Sequence, residues 1–262
     1  MEIKYTTLGL LIYLAMGGYL LAFAATVLKQ HRLGNILYFL GFIFALAALI
    51  YRGIEVGHLP MQRLIDVFLC MGLIFPLTLF CRHFLRVGAE AADMLIGVIV
   101  LFPAGFIFSA KPMPLPPALQ SWLFGPHVAV YMLGYIIMAK ASVQAILQLV
   151  GKQPGSIEPA DYEQGTYRLV RFGFVFLTMG LLLGSYWGKL AWGDYWNWDP
   201  KEVWSLVTWL IFLIYFHFRY MHGKRFPRVN SILVLTGMFA IIITLLWANL
   251  SRIFTGLHNY AA

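Results

Sequence analysis

Residues 7–28 have the sequence TLGLLIYLAMGGYLLAFAATVL, in which no side chain is charged, and Lys29 follows them directly. A helix needs about 20 apolar residues to cross roughly 30 Å of hydrocarbon, so this stretch is long enough to span a lipid bilayer. Because it lacks the basic leader and the small-residue cleavage site of a secretory signal, we expect it to be retained as a first membrane span. Similar apolar runs recur along the rest of the chain.

The composition of the whole chain is typical of a membrane protein. Of its 262 residues, 61% are hydrophobic and 11% are charged, and the mean hydropathy is +0.77, whereas a soluble protein has about 25% charged residues. The formal net charge of +8 does not indicate nucleic-acid binding, because the basic residues are scattered among short connections. Cys70 and Cys81 lie eleven residues apart, which suits neither a redox pair nor a metal cluster, so we expect them to be packing residues.

The apolar runs predict an all-α, polytopic membrane protein with about eight transmembrane helices, forming one integral membrane domain over residues 1–262. The expected spans are 7–28, 35–53, 62–80, 91–109, 126–150, 170–187, 203–220 and 231–250.

The distribution of Lys and Arg predicts how these spans are oriented, because cytoplasmic connections are enriched in basic residues. If 29–34, 81–86, 151–171 and 219–228 are cytoplasmic, they hold eleven of the nineteen Lys and Arg, against seven outside and one, Lys140, within a span. Both termini are then expected on the outer (periplasmic or lumenal) side.

The segment 192–202, WGDYWNWDPKE, is the most distinctive part of the chain. An aromatic belt at the membrane surface would account for two or three of the tryptophans in and around this segment. It would not explain why Trp192, Trp196 and Trp198 are interleaved with small and polar residues in a short connection. These three indoles are expected to form a flat aromatic shelf, suited to stacking on a planar apolar macrocycle.

Part of this segment also has an ordinary structural role. Asp199 is a good N-cap, Pro200 suits the first helical position, and Glu202 lies where a capping box closes. The sequence therefore predicts a helix that starts at DPKE, after a tryptophan-rich loop at about 187–203.

Three histidines are candidate ligands of a heme iron, which accepts axial imidazoles. His127 is expected at the outer end of the fifth span, and His258 lies in the tail sequence GLHNY, so both could reach the tryptophan segment. His217 is seventeen residues beyond Pro200, about 26 Å deeper along the same helix, and cannot bind the same iron. It suggests a second, inner heme position, whose other ligand could be His83, His222 or a histidine of another subunit.

A polar stripe on the fifth span, formed by Lys140, Gln144 and Gln148, has a spacing of four residues and so lies on one helical face. The favoured interpretation is that Lys140 extends toward the lipid headgroups. The alternative is a contact between Lys140 and a heme propionate.

The segment WGDYWNWDPKE, followed by a span that contains YFH, resembles the WWD signature of heme-handling membrane proteins, and specifically the CcsA (ResC) branch of system II cytochrome c assembly. Three further stretches resemble landmarks of that family in the expected order, so that the resemblance covers most of the chain. They are GHLPMQRLIDVF after span two, PHVAVYMLGY at the start of span five, and GLHNY in the tail.

The resemblance implies a binding site for heme b with bis-histidine ligation at the outer surface. Two external histidines of the family correspond to His127 and His258, a membrane-embedded one corresponds to His217, and the WWD segment corresponds to Trp192, Trp196, Trp198 and Asp199.

It also implies a subunit of a cytochrome c synthase (heme lyase) complex, with a CcsB (ResB) partner and apocytochrome c, whose CxxCH thiols react with the heme vinyl groups. No catalytic nucleophile is expected of this chain. The membrane is expected to be a bacterial inner membrane or, alternatively, a thylakoid membrane. Two other functions remain open: a heme exporter resembling CcmC, which loads a chaperone, and a membrane regulator of heme biosynthesis resembling HemX.

Overall fold

The structure, a computed structural model, describes residues 3–151 and 161–247, and these residues form helices and connections without a β-strand. They belong to two compact units: unit 1 consists of Met1–Phe80 and Ala89–Pro117, and unit 2 of Cys81–Gly88 and Ala118–Ala262. The all-α fold predicted from the sequence is confirmed, while one domain over residues 1–262 and the outer location of both termini stay predictions.

Unit 1 contains five α-helices. They are α1 (Thr7–Val27), α2 (His31–Val56), α3 (Leu64–Met71), α4 (Phe75–Phe80) and α5 (Glu90–Phe106). Helix α1 packs against both α2 and α5, and α3 packs against α5.

Unit 2 contains four α-helices. They are α6 (Phe124–Leu149), α7 (Tyr162–Trp192), α8 (Pro200–His222) and α9 (Pro227–Ile242), with π-helical turns at Cys81–Leu85 and Ile243–Trp247. Helix α6 packs along α7 and also contacts α9, which packs against α8.

Seven helical stretches of the described chain are long and apolar enough to cross a bilayer. The expected span at 91–109 is not among them, because α5 has only 17 residues, or about 25 Å of helix. The expected span at 62–80 is present as the stretch Leu64–Leu85, although its helix is interrupted after Met71. The protein is therefore an integral membrane protein, with one of the eight predicted spans shorter than the others.

Helix α7 begins eight residues earlier than the sequence predicts. Its N-cap, Asp161, accepts a hydrogen bond from the backbone N–H of Gln164 at 2.6 Å. The first turns are polar, which is why hydropathy assigns them to a connection. Glu163 is nevertheless buried, because Arg219 of α8 donates from Nε and Nη2 to its two carboxylate oxygens at 2.8 and 3.0 Å.

The break between α3 and α4 is stabilised from α1. Pro76 has no N–H, so it cannot donate to the carbonyl of Gly72 four residues before it. The hydroxyl of Tyr19, which is completely buried, donates to that carbonyl at 2.8 Å instead. A buried carbonyl needs such a partner in the absence of water, so this bond makes the broken span possible.

The polar stripe on α6 faces the interior of unit 2 rather than the lipid. Lys140 is 1% exposed, and its Nζ donates to the carbonyl of Gly88 at 3.1 Å. The amide of Gln144 donates to the same carbonyl at 3.2 Å, and Gln148 accepts from Ser231 of α9. The prediction that Lys140 extends toward the headgroups is wrong, because a backbone carbonyl binds its ammonium group inside the protein.

Replacing Tyr19 with Phe should destabilise unit 1. The substitution keeps the ring but leaves the buried carbonyl of Gly72 without its hydroxyl partner, which costs about 1–3 kcal/mol. Thermal unfolding of the purified protein in detergent should show the loss as a lower transition temperature.

Tyr13→Phe is the matched control. The hydroxyl of Tyr13 donates to the carbonyl of Gly105, which also accepts from Lys4 Nζ and so keeps a partner. Tyr13→Phe should therefore destabilise the protein less. Equal transition temperatures for Tyr19→Phe and the parent protein would contradict the role given to Tyr19.

Candidate functional site

His127 lies in the first turn of α6, and its ring is directed at α7. Its Nδ1 is 3.0 Å from the carbonyl oxygen of Gly180. Since a carbonyl oxygen can only accept, Nδ1 must carry the proton, and the lone pair of the neutral imidazole is then on Nε2. Metal-binding histidines use this arrangement, in which a backbone carbonyl fixes the tautomer and the orientation of the ring.

Two glycines on one face of α7 make room for the rings of α6. A Cβ atom at Gly184 would lie 2.5 Å from Cε1 of His127, and one at Gly180 would lie 2.8 Å from the ring of Tyr131. Small residues four apart permit this kind of close approach between membrane helices. The spacing of Gly180 and Gly184 is visible in the sequence and is the signal that could have indicated this close approach.

Trp187 supports His127 from one side and is not available to a ligand. It is 1% exposed, its ring stacks on the imidazole at a centroid distance of 5.7 Å, and its Nε1 donates to the carbonyl of Ala118 at 3.2 Å. Phe124 and Trp192 pack against other parts of the same indole. This aromatic cluster fixes the start of α6 to the end of α7.

The tryptophan-rich loop is shorter than predicted. Helix α7 continues to Trp192, where Gly193 in a left-handed conformation (φ +93°) ends it, and α8 begins at Pro200. The connection is therefore only 193–199, because Trp187 and Trp192 occupy the last turns of a helix.

Side chains of both flanking helices bind this connection. From α7, Lys189 donates to the carbonyl of Gly193, and the hydroxyl of Ser185 donates to the carbonyl of Tyr195 at 2.9 Å. From α8, one carboxylate oxygen of Glu202 accepts from the backbone N–H groups of Asn197 and Asp199 at 2.8 and 3.1 Å.

The predicted capping box is present. Asp199 is the N-cap of α8, is buried, and accepts from the N–H of Lys201 at 2.9 Å, while Glu202 accepts from the N–H of Asp199. Pro200 occupies the first turn. The prediction that DPKE begins a helix is confirmed.

Trp198 combines an unusual backbone with an exposed side chain. Its φ is +56°, in the left-handed region, which costs a non-glycine residue on the order of 1–2 kcal/mol. Its indole is 72% exposed. Such strain in an exposed aromatic residue is typical of a functional position.

The indoles do not form the flat shelf predicted from the sequence. The rings of Trp196 and Trp198 are almost perpendicular, at 88° and a centroid distance of 5.9 Å. Trp192 contacts the buried Trp187 instead, also edge to face. A planar ligand could stack on one of these rings and contact the edge of another.

His258 lies outside the described residues. The last described residue, Trp247, packs edge to face on Trp204 in the first turns of α8, with a centroid distance of 6.3 Å. The end of the described chain is therefore close to the connection 193–199.

His217 is exposed on α8, far from this connection, and its Nδ1 is 2.9 Å from the carbonyl of Leu213. His222 bonds in the same way to Phe218 at 3.1 Å. Five residues of helix rotate the side chain by about 140°, so His217 and His222 point to different faces of α8 and cannot bind opposite sides of one iron. His83, in the π-helical turn at Cys81–Leu85, is also exposed.

Within residues 3–151 and 161–247, no three His, Cys, Asp or Glu side chains converge in a way that could hold a bare metal ion. A heme iron makes a smaller demand, because the macrocycle supplies four ligands and the protein adds only the axial ones. The imidazole of His127, oriented by a backbone carbonyl, fits the requirement for one axial ligand.

Comparison with known proteins shows which family the chain resembles. Residues 5–256 match the family described as cytochrome C assembly protein. Among similar proteins named cytochrome c biogenesis protein CcsA, that of Chlamydomonas reinhardtii is 34% identical over 81% of this chain and 64% of its own length. Those of Guillardia theta and Prochlorococcus marinus are 31% and 29% identical, over 80% and 81% of this chain and 79% and 78% of their own lengths.

The match to the family extends through all nine helices that the structure describes, including both sides of the connection 193–199. The chain spans about two thirds of the Chlamydomonas protein, and more of the other two. This chain therefore belongs to the cytochrome c assembly protein family.

Proposed function

We propose that this chain works in cytochrome c biogenesis by holding heme b beside the connection 193–199 and presenting it for covalent attachment to apocytochrome c. The observation that supports this most is the bond between His127 and the carbonyl of Gly180. This bond places the imidazole lone pair on Nε2. The neutral imidazole, which binds through such a lone pair, is the form of histidine that binds iron.

The second axial ligand in this proposal is His258. It is the eleventh residue after Trp247, and an extended chain of that length reaches roughly 36 Å. Because Trp247 already contacts α8 near the connection, a tail of this length is sufficient to bring His258 to the iron. Two neutral imidazoles would keep the iron in a stable six-coordinate state until the heme reacts with apocytochrome c.

The macrocycle would contact Trp192, Trp196 and Trp198, with Asp199 fixing the end of the connection. Of these, Trp198 offers the largest exposed aromatic face. An indole also carries an N–H donor, which suits the polar propionate edge of a heme.

The chemistry of attachment does not require a nucleophile from this chain. The apocytochrome supplies two thiols, which add to the vinyl groups of the heme, so that two C–S bonds form without a leaving group. The protein contributes binding and orientation of the cofactor. A CcsB (ResB) subunit would complete the synthase, in a bacterial inner membrane or a thylakoid membrane.

His217 would bind heme at an earlier, inner position. Its Nδ1 is bonded to a helix carbonyl as in His127, so the same tautomer argument applies. Since His222 points to another face of α8, His83 or a histidine of the partner subunit is the better candidate for its second ligand.

His127→Ala should greatly reduce the heme that copurifies with the protein. The substitution removes an axial ligand, and the absorbance of bound heme per mole of purified protein measures the loss. His258→Ala should have a similar effect, because a bis-histidine complex depends on both ligands.

His31→Ala is the control for this measurement, since it removes an exposed histidine from the first turn of α2. It should leave the heme content unchanged. If His127→Ala retains as much heme as His31→Ala, the axial ligand has been assigned to the wrong residue.

Gly184→Ala should also lower the heme content, although it changes no ligand. The new Cβ would lie 2.5 Å from Cε1 of His127, so the ring must move away from its position over α7. Gly188→Ala, one turn later on α7, places its Cβ no closer than 3.4 Å to another atom and should retain heme. Loss of heme in both variants, or in neither, would argue against a specific role of this contact.

Coexpression separates a synthase subunit from an exporter. The chain should produce holocytochrome c in a host without its own maturation system when a ResB-type partner is supplied, as measured by covalent heme staining. A requirement for an added heme chaperone would favour the exporter instead.

A further inference from the structure

We propose that Glu202 is a positioning residue for Trp198: its carboxylate fixes the left-handed backbone of Trp198 and so directs the exposed indole toward the heme. The inference rests on the proposed function. It assigns to Glu202 a task beyond starting α8.

The carboxylate of Glu202 accepts from the N–H groups on both sides of Trp198. One oxygen, Oε2, lies 2.8 Å from the nitrogen of Asn197 and 3.1 Å from that of Asp199. Two N–H groups that converge in this way, with a left-handed residue between them, form a small anion-binding concavity in the backbone. Here the anion is a side chain of the protein itself.

An ordinary capping box explains only one of these bonds. In that motif the glutamate returns to the N–H of the N-cap residue, which is Asp199. The shorter bond is made to Asn197, two residues before the N-cap and outside the helix. The additional bond acts on the conformation of Trp198, not on the start of α8.

The position of the Trp198 indole is not explained by burial. Packing within the protein holds the indole of Trp187, which is 1% exposed. Trp198 is 72% exposed and has an unfavourable φ. The two bonds to Glu202 offset that strain and hold the ring outward.

Glu202 acts on a limited part of the connection. The first half is bound independently by Lys189 and Ser185 of α7, through the carbonyls of Gly193 and Tyr195. Loss of the carboxylate should therefore release Trp198 and leave the aromatic cluster around His127 in place.

A double-mutant cycle tests this inference. The parent protein, Glu202→Ala, Trp198→Ala and the double variant are titrated with heme in detergent, and absorbance gives the dissociation constant of each. Glu202→Ala should weaken heme binding about fivefold in the parent background and not at all in the Trp198→Ala background. Thermal unfolding, recorded on the same samples, should show the loss of the helix cap in both backgrounds.

Three further variants separate positioning from stability. Glu202→Gln keeps an acceptor oxygen without the charge and should bind heme with an intermediate affinity. Thr6→Ala removes the N-cap of α1, in unit 1, so it should lower the unfolding temperature and leave heme affinity unchanged. Trp198→Phe keeps a smaller aromatic face if Trp198→Ala is poorly folded.

Each outcome bears on one claim. Equal effects of Glu202→Ala in both backgrounds would overturn the positioning role and leave the proposed function intact. A Trp198→Ala protein that binds heme normally but forms less holocytochrome would show that the indole contacts the apocytochrome, which also overturns the inference. Normal heme binding by both Trp198→Ala and His127→Ala would overturn the proposed function itself.

Discussion

Helices α6 and α7 approach each other closely at Gly180 and Gly184, and most of unit 2 depends on this contact. Without side chains at these two positions, the rings of Tyr131 and His127 lie directly on the backbone of α7. The approach brings the carbonyl of Gly180 within hydrogen-bonding distance of His127. It also places Trp187 where it can stack on the imidazole, so that packing and ligand orientation have the same origin.

The second general constraint is that polar groups inside a membrane protein must find partners within the chain. The structure meets this need with contacts within the chain, most of which join residues distant in sequence. Arg52, which is completely buried, donates to Asp66 and Glu55 at 2.9 Å and binds the carbonyl of Ala110. Lys140 binds a backbone carbonyl, and Glu163 is paired with Arg219. These side chains hold connections in place as well as stabilising the helices.

Local patterns allowed the sequence to predict much of the fold. Apolar runs located the helices, and the capping box at Asp199 was recognisable because all its partners lie within a few residues. The start of α7 was missed, since the burial of Glu163 depends on Arg219, 56 residues away. Lys140 was misplaced for the same reason, because its carbonyl partner belongs to Gly88.

The candidate site was predictable to a similar extent. The types of residue that suit heme, His127 and the tryptophans of the connection, are visible in the sequence. Their geometry is not: the tautomer of His127 depends on a carbonyl 53 residues away, and the planes of Trp196 and Trp198 follow from a backbone conformation that tryptophan rarely adopts. The paired glycines of α7 are the one signal in the sequence that could have indicated where the imidazole packs.

The length of α7 has a mechanical consequence. Its 31 residues form one helix without a break, about 46 Å long, which exceeds the roughly 30 Å of the hydrocarbon layer. Glu163, bound to α8, and Gly180, bound to His127, lie about 26 Å apart on this single rod. A tilt or rotation of α7 at the Glu163 end is therefore transmitted to the imidazole, so the two ends of the helix cannot move independently.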